Sequence, residues 1–542
     1  MIDFKLVTSL DKIFPDAEPS LYIEKGSMLK NERYNLQLCL YNSANDAEKE
    51  VKIKVTGDIA KYCNLRIVDY IPSVLADYGI KDDYYIFNDN SSRAYPDLLR
   101  PLEAGDVIVP CKKRLGIWCT IHCPSGLSSG LHKLVFTVTT TKCESISRVF
   151  EIKVIDANLP KSDLFYTNWM HYDSIANYYN VKPWSGRFYK LLGTFIDTAV
   201  LHGVNIMYTP VFTPPLDTKI GGERRDVQLV KVYEKEEDKY EFDLSELDKF
   251  ITFCRERGVE YFEISHLATQ WGAKACPKIM AYTKNGYKRI FGWDVEAKSD
   301  KYKKFLSCFL GVLDDYFINK KMGDKVFFHI SDEPNKSQFT EYKQIAGYIK
   351  SLIPKYKILD ASSTESNEIV DIPVLSTTHI PENAKENVWA YYCCTSRDRY
   401  LSNRFFNMPS QRNRVLGFQL YEQECKGFLH WGFNFYNTIF SYHPINPYAV
   451  SDAGGAFPSG DSYVVYPGDK GALDSLRLEV FYDGLQDRMA LKLLEKHIGR
   501  DAVRDMLHAE GIVGWSSYPR DAVWHIGFRE KINGKISELV KG

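Results

Sequence analysis

The chain has 542 residues, more than one hydrophobic core serves, so two or three domains are expected. Its 69 basic and 70 acidic residues leave a formal charge of -1, which excludes a general electrostatic attraction to nucleic acid or anionic membrane. With 44% hydrophobic and 26% charged residues the composition excludes a disordered or fibrous chain.

The opening MIDFKLVTSLDKIF lacks the basic region and apolar run of a secretory signal, and no stretch approaches the apolar length of a membrane span. Twelve cysteines are scattered without close CxxC pairs. Cys393 and Cys394 are adjacent, and Cys119 and Cys123 are separated by three residues; neither spacing is that of a zinc site. These features predict a cytoplasmic protein with reduced thiols and no membrane span, with an exported origin as the alternative if a leader has been removed. The 36 Tyr and 9 Trp supply flat amphipathic rings that suit sugar faces as well as cores.

From the start to residue 156 the pattern is short alternating runs, YNLQLCLYN, EVKIKVTG, GIWCTIHCP, HKLVFTVTTT and SRVFEIKVID, separated by turn residues. Period-two alternation of this kind predicts an antiparallel β-sandwich over 1–156. No acid pair or ligand cluster falls in it, so it reads as a packing or positioning module.

ANLPKSD, 157 to 163, has the composition of a linker. After it, apolar runs alternate with helical patterns. The runs are LFYTNWM, NIMYTPVF, EYFEISHL, KVFFHISD, YKILDASS, PVLSTTH, VWAYYCCT and GFLHWGFNFY, and the helix candidates include SGRFYKLLGTFIDTAVLHG and SDKYKKFLSCFLGVLDDYFINKK. Eight strands with crossovers predict a (β/α)8 TIM barrel over 160–500. The short connection between 356 and 388 implies a reduced helix there, and DSLRLEVFYDGLQDRMALKLLEKHIG supplies the last long one. Residues 501–542 read as a helical extension packed on the barrel.

VFFHISDEPN, 326 to 335, ends the fourth run in two adjacent carboxylates and a proline. Alternation places Val326, Phe328 and Ile330 toward the helices, and Phe327, His329, Ser331 and Glu333 toward the barrel interior. The C-terminal mouth of a barrel is where strand-end side chains converge on chemistry. Pro334 favours extended backbone at Glu333. Asp332 faces the other way by parity, and reaches the mouth if the strand end twists; otherwise Asp332 or Asn335 caps the next helix. Two carboxylates in one cleft have their proton affinities driven apart, leaving one as anion and one as acid.

HISDEP, together with GFLHWGFNFYN and GDSYVVYPGDKGALDSLRLEVFYDGLQDRMAL, resembles the catalytic domain of glycoside hydrolase family 123, the β-N-acetylgalactosaminidases and their relatives. The resemblance spans roughly 160 to 500, with the upstream sandwich matching the family's accompanying domain. It implies an exo-acting retaining hydrolase of glycans or glycoconjugates ending in a β-linked N-acetylhexosamine. Glu333 is then the general acid/base, and Asp332 positions the substrate's 2-acetamido group, which acts as nucleophile. Spacing alone leaves open the carboxylate separation of an inverting enzyme, roughly 6.5 to 9.5 Å. A glycosidase for another sugar and a carbohydrate-binding protein without turnover are the competing readings.

Other strand ends supply pocket walls. Tyr391 and Tyr392 end the seventh run, and one of the two is expected to face the acetamido group. Trp431 and Asn434 on the eighth run are candidates for stacking and for a hydroxyl contact, and His266 and Trp271 after the third run for contact with the sugar or leaving group. Arg477 is expected in an ion-pair network with Glu479 and Asp483. AVSDAGGAFPSGDSYVVYPG is a glycine-rich loop that shapes the rim, without the GxxxxGK[ST] of a phosphate loop. The histidines show no metal-binding spacing, so no metal and no cofactor are expected.

Overall fold

The structure is a computed structural model that describes residues 1–45, 47–77, 82–89, 91–103, 105–334, 336–362, 369–378, 380, 388–394 and 399–540. Its N-terminal part is two five-stranded sheets packed face to face. One has the order Ile2–Thr8, Arg33–Asn42, Arg114–His122, Cys63–Ser73, Arg93–Pro101; the other Lys25–Lys30, Ser145–Asn158, Gly130–Thr140, Lys49–Thr56, Asp106–Val109. Pairing is antiparallel, as expected of the sandwich, except at one edge, where Lys25–Lys30 and Ser145–Asn158 run parallel. The inner faces meet in a core that includes Phe4, Leu38, Ile117, Phe136 and Ile152.

The first sheet buries its second face as well. Arg114–His122 is buried along all but its ends, because Val68, Leu99 and Trp118 on its outer side pack against Leu476, Val480 and Ala522 from the C-terminal part. Polar groups on that side are paired across the junction. Arg477 holds Asp97 through both carboxylate oxygens at 2.8 and 2.9 Å. Arg66 reaches Asp474 and Glu479, each at 2.7 Å. Arg477 thus serves an ion pair, but its partner is Asp97 of the sandwich rather than Glu479 or Asp483.

Eight parallel strands close the barrel: Phe165–Asn168, Ile206–Thr209, Tyr261–Ile264, Val326–Phe328, Lys357–Ser362, Ile372–Ser376, Trp389–Tyr391 and Gly427–His430. Seven lie within one of the sequence runs, and the sixth begins one residue before its run, at Ile372. The inferred shortening of a helix between 356 and 388 falls largely on 363–368 and 381–387, outside the described residues. Inside the barrel, Phe165 stacks on Trp389 with centroids 5.4 Å apart, and Phe327 joins them near the N-terminal end. Val326, Phe328 and Ile330 pack outward among the helices. The alternation read from the fourth run is therefore the one adopted.

An element with no counterpart in the sequence reading crowns the mouth. Lys231–Glu236, Lys239–Asp243, Ile279–Thr283 and Gly286–Phe291 form a four-stranded sheet from the connections after the second and third strands. The C-terminal extension holds helices Arg500–Ala509 and Ala522–Leu539. The second is not confined to the barrel: Phe528 packs on Phe418 with centroids 5.3 Å apart, while Arg529 pairs with Glu32 of the sandwich at 2.8 Å. No helix among the described residues is long and apolar enough to cross a membrane.

Candidate active site

A cavity of about 200 Å³ opens at the C-terminal mouth, lined by Asp332 and Glu333 together with Trp169, His171, Asp217, Gln270, Trp271, Tyr391, Cys393, Cys394, Trp431 and Phe457. The fourth strand ends at Phe328, so the next residues are free of strict alternation and both carboxylates reach the same space. Backbone contacts hold this segment to its neighbour: Leu267 N donates to His329 O at 3.3 Å, Ala268 N to Ile330 O at 2.9 Å and Trp271 N to Asp332 O at 2.9 Å.

Glu333 does not adopt the extended backbone expected before Pro334. Its φ is 42°, in the left-handed region, a conformation that costs a non-glycine residue on the order of 1–3 kcal/mol and persists where surroundings enforce it. Asp217 (φ 40°) and Trp271 (φ 60°) share this feature on the same cavity wall. Tyr391 donates its hydroxyl to Glu333 Oε1. Burial and the adjacent Glu333 charge push the Asp332 carboxyl well above the usual range, while His329 pulls it the other way. The pair therefore retains a proton where an isolated aspartate would have lost it.

Under the cavity lies a buried charge cluster. His329 Nε2 meets Glu263 at 2.9 Å and its Nδ1 meets Asp360 at 3.4 Å. Burial lowers this imidazole's proton affinity, yet the close approach of Asp360, the hydrogen bond to Glu263 and the charges of both outweigh it and raise the pKa to about 9. His266 stacks on His329 with centroids 4.4 Å apart, and burial with the His329 charge keeps it well below the usual imidazole range. Trp169 covers both rings edge-on, at 5.2 and 5.5 Å, and forms the cavity floor.

Atoms of His266, His329 and Asp360 lie close enough to hold a metal, as do those of His202, Asp474 and Glu479. An imidazolium bonded to a carboxylate on each side has no lone pair to offer. Asp360 already accepts from Ile330 N at 2.8 Å, Ser331 N at 3.3 Å and Tyr342 Oη at 2.6 Å. Glu479 is committed to Arg66 and Arg33. Both donor sets fit ion pairing better than metal.

The remaining candidates divide. Tyr391 faces the interior, whereas Tyr392 points outward, with its ring 5.1 Å from Phe428 and 5.4 Å from His430. Trp271 and Trp431 line the cavity, and Trp431 Nε1 donates to Asp461 Oδ2 at 3.0 Å. Two expectations are corrected. His266 lies beneath Trp169, with Nδ1 2.9 Å from Tyr208 Oη, and does not line the cavity. Asn434 spends both halves of its amide on the His171 backbone, at 2.8 and 3.1 Å, and so positions that residue.

His171 is itself fixed by Arg224 at Nδ1, 3.1 Å, and by the Trp431 carbonyl at Nε2, 2.8 Å. Burial, then the Arg224 charge, lower its pKa to about 3, so it is neutral, donating from Nε2 and accepting at Nδ1. Sequence reasoning missed Trp169 and His171, although both follow directly on the first strand, the position already used to nominate Tyr391. It also missed Asp217 and Gln270, which sit in long connections without a local signal. Burial raises the Asp217 pKa to about 6, and its Oδ2 accepts from Phe440 N at 3.1 Å.

The sequence model of the glycoside hydrolase 123 catalytic domain matches residues 169–494. The chain belongs to glycoside hydrolase family 123. A solved family 123 glycoside hydrolase from Clostridium perfringens, described as acting in glycolipid glycan hydrolysis, superposes with a TM-score of 0.75 at 14% identity, covering 99% of this chain and 98% of that one. A family 5 glycoside hydrolase from Bacteroides vulgatus is far less similar, with a TM-score of 0.31 at 12% identity over 63% of this chain and 69% of its own. No curated protein matches. Family 123 membership makes this chain a glycoside hydrolase whose substrates are glycans, and the likeness to the Clostridium enzyme extends over sandwich and barrel alike.

Proposed function

We propose that the protein is an exo-acting, retaining β-N-acetylhexosaminidase, with N-acetylgalactosamine as the preferred terminal sugar, in which the substrate's 2-acetamido group is the nucleophile. The observation that carries this reading is the meeting of Asp332 and Glu333 in one small cavity, with Tyr391 bonded to the second. The cavity is smaller than the roughly 300–1,000 Å³ of pockets for drug-sized ligands, in keeping with one terminal sugar.

In the reaction the acetamido oxygen attacks the anomeric carbon while Glu333 protonates the departing oxygen. Asp332 accepts the amide N–H and stabilises the positive charge of the resulting oxazolinium ion. Water then adds at the anomeric carbon, Glu333 takes its proton, the amide re-forms and the β configuration is restored. The first step needs Asp332 ionised and Glu333 protonated. Burial and the Glu333 charge favour a proton on Asp332. An arriving amide N–H favours the ionised form of Asp332.

Aryl β-glycosides of N-acetylgalactosamine, N-acetylglucosamine, galactose and glucose, assayed with wild type, Glu333→Gln and Asp332→Asn, test the reading. Turnover is expected only on the acetamido sugars, reduced in both variants by roughly 10²–10⁴-fold. Azide is expected to rescue Glu333→Ala on an activated aryl glycoside, giving the β-glycosyl azide. Comparable hydrolysis of plain galactosides rejects neighbouring-group participation.

A further inference from the structure

Cys393 and Cys394 both line the cavity that holds Glu333. Neighbouring residues of an extended strand point to opposite faces, but the seventh strand ends at Tyr391 and the backbone beyond it turns, with Asn403 Nδ2 holding the Cys393 carbonyl at 3.0 Å. Both thiols are half-buried and neither is in a disulfide. The neighbouring Cys393 side chain, followed by burial, holds the Cys394 thiol well above its ordinary range.

We propose that Cys393 and Cys394 are a reversible dithiol in the cavity wall that closes to a vicinal disulfide on exchange with a low-molecular-weight disulfide and thereby lowers turnover. The chemistry balances as two exchanges. Cys393 sulfur attacks the small disulfide, expelling one thiolate, which takes up the Cys393 proton. Cys394 sulfur then attacks the mixed disulfide, forming the intramolecular S–S bond and releasing the second small thiol. Two protein thiols are oxidised by two electrons and one small disulfide is reduced.

Consecutive α-carbons are 3.8 Å apart across a trans peptide, short of the roughly 4.4–6.8 Å usual for a disulfide. The ring is therefore strained and readily reduced, as a regulatory couple requires. Closure must reshape the backbone two residues after Tyr391, whose hydroxyl is bonded to Glu333. The link to turnover rests on the cavity being the catalytic one, as proposed above, whereas closure itself does not.

The reduced full-length enzyme is incubated with glutathione disulfide, quenched with N-ethylmaleimide, mapped by peptide mass, and assayed on whichever aryl glycoside of the panel above it hydrolyses. The peptide carrying both cysteines is expected to lose two hydrogens and take no maleimide. Turnover is expected to fall roughly tenfold or more and to return with dithiothreitol. Cys394→Ser is expected to trap a glutathione adduct on Cys393. Maleimide on both cysteines, while the exposed Cys143 and Cys308 have become mixed disulfides, overturns the proposal, as does ring closure that leaves turnover unchanged. The peptide masses stand whichever sugar is the substrate, so failure of the dithiol and failure of the hexosaminidase reading are told apart.

Discussion

Tyr391 donates to Glu333, whereas Tyr392 lies among Phe428 and His430, and its hydroxyl's one hydrogen bond among the described residues is a long 3.5 Å contact to Asn413. Removing the first hydroxyl takes a donor from the proposed acid/base; removing the second takes almost nothing. Tyr391→Phe is expected to lower kcat by about 10–100-fold, and Tyr392→Phe to stay within a factor of about three, as steady-state kinetics on an aryl substrate will show. Asp461 acts at one remove, by holding Trp431. Burial raises its pKa to about 7, so the stability it contributes is full below the unfolded carboxyl value and is lost as pH rises through about 7. Asp461→Asn keeps an acceptor for Trp431 without the ionisation cost. Its Tm is expected to exceed wild type at about pH 8.5, with the excess shrinking steadily as pH falls from about 7 toward about 4, by thermal denaturation.

The fourth strand shows how far alternation reaches. Phe327 and His329 point inward and Val326, Phe328 and Ile330 outward, as period two requires. Parity stops at the strand's end, and there Asp332 joins Glu333. His329 gains two carboxylate partners on folding, and its pKa of about 9 exceeds the ordinary 6.5. The stabilisation is therefore complete below the ordinary value and disappears as pH rises through about 9. The Tm gap between wild type and His329→Asn is expected to be wide at pH 6 and to narrow by about pH 10. Helix packing makes an equally local demand. Helices Leu416–Glu422 and Leu476–Ile498 cross where a Cβ on Gly417 would lie 1.7 Å from the Gly484 carbonyl oxygen. Backbone cannot yield as a side chain does, so Gly417→Ala is expected to cost about 3 kcal/mol or more, read by denaturant titration.

Across the whole molecule, Leu476–Ile498 is buried from Leu476 to Leu491, apart from the half-buried Tyr482, because it serves two cores. Its Leu476 and Val480 face the sandwich, and its Leu478 and Phe481 face the barrel. Arg477, Glu479 and Asp483 bond to Asp97, Arg66 and Asn35 of the sandwich. Removing one member of a buried pair leaves an uncompensated charge. Arg477→Ala is accordingly expected to cost about 3–5 kcal/mol, with sandwich and barrel melting in one transition in calorimetry.

Elements were legible because their signals are local. Eight apolar runs became eight strands, and the long helical patterns became helices, since burial of one face imposes a period that no distant contact needs to supply. The acid pair was legible for the same reason, sitting at a strand end. Which tyrosine faces inward, what His266 and Asn434 touch, that Arg477 reaches Asp97, and that two neighbouring cysteines share the cavity are matters of where separate strands and loops converge. Those distances are set by barrel closure and by the sandwich docking on its last long helix, and no window along the chain contains them.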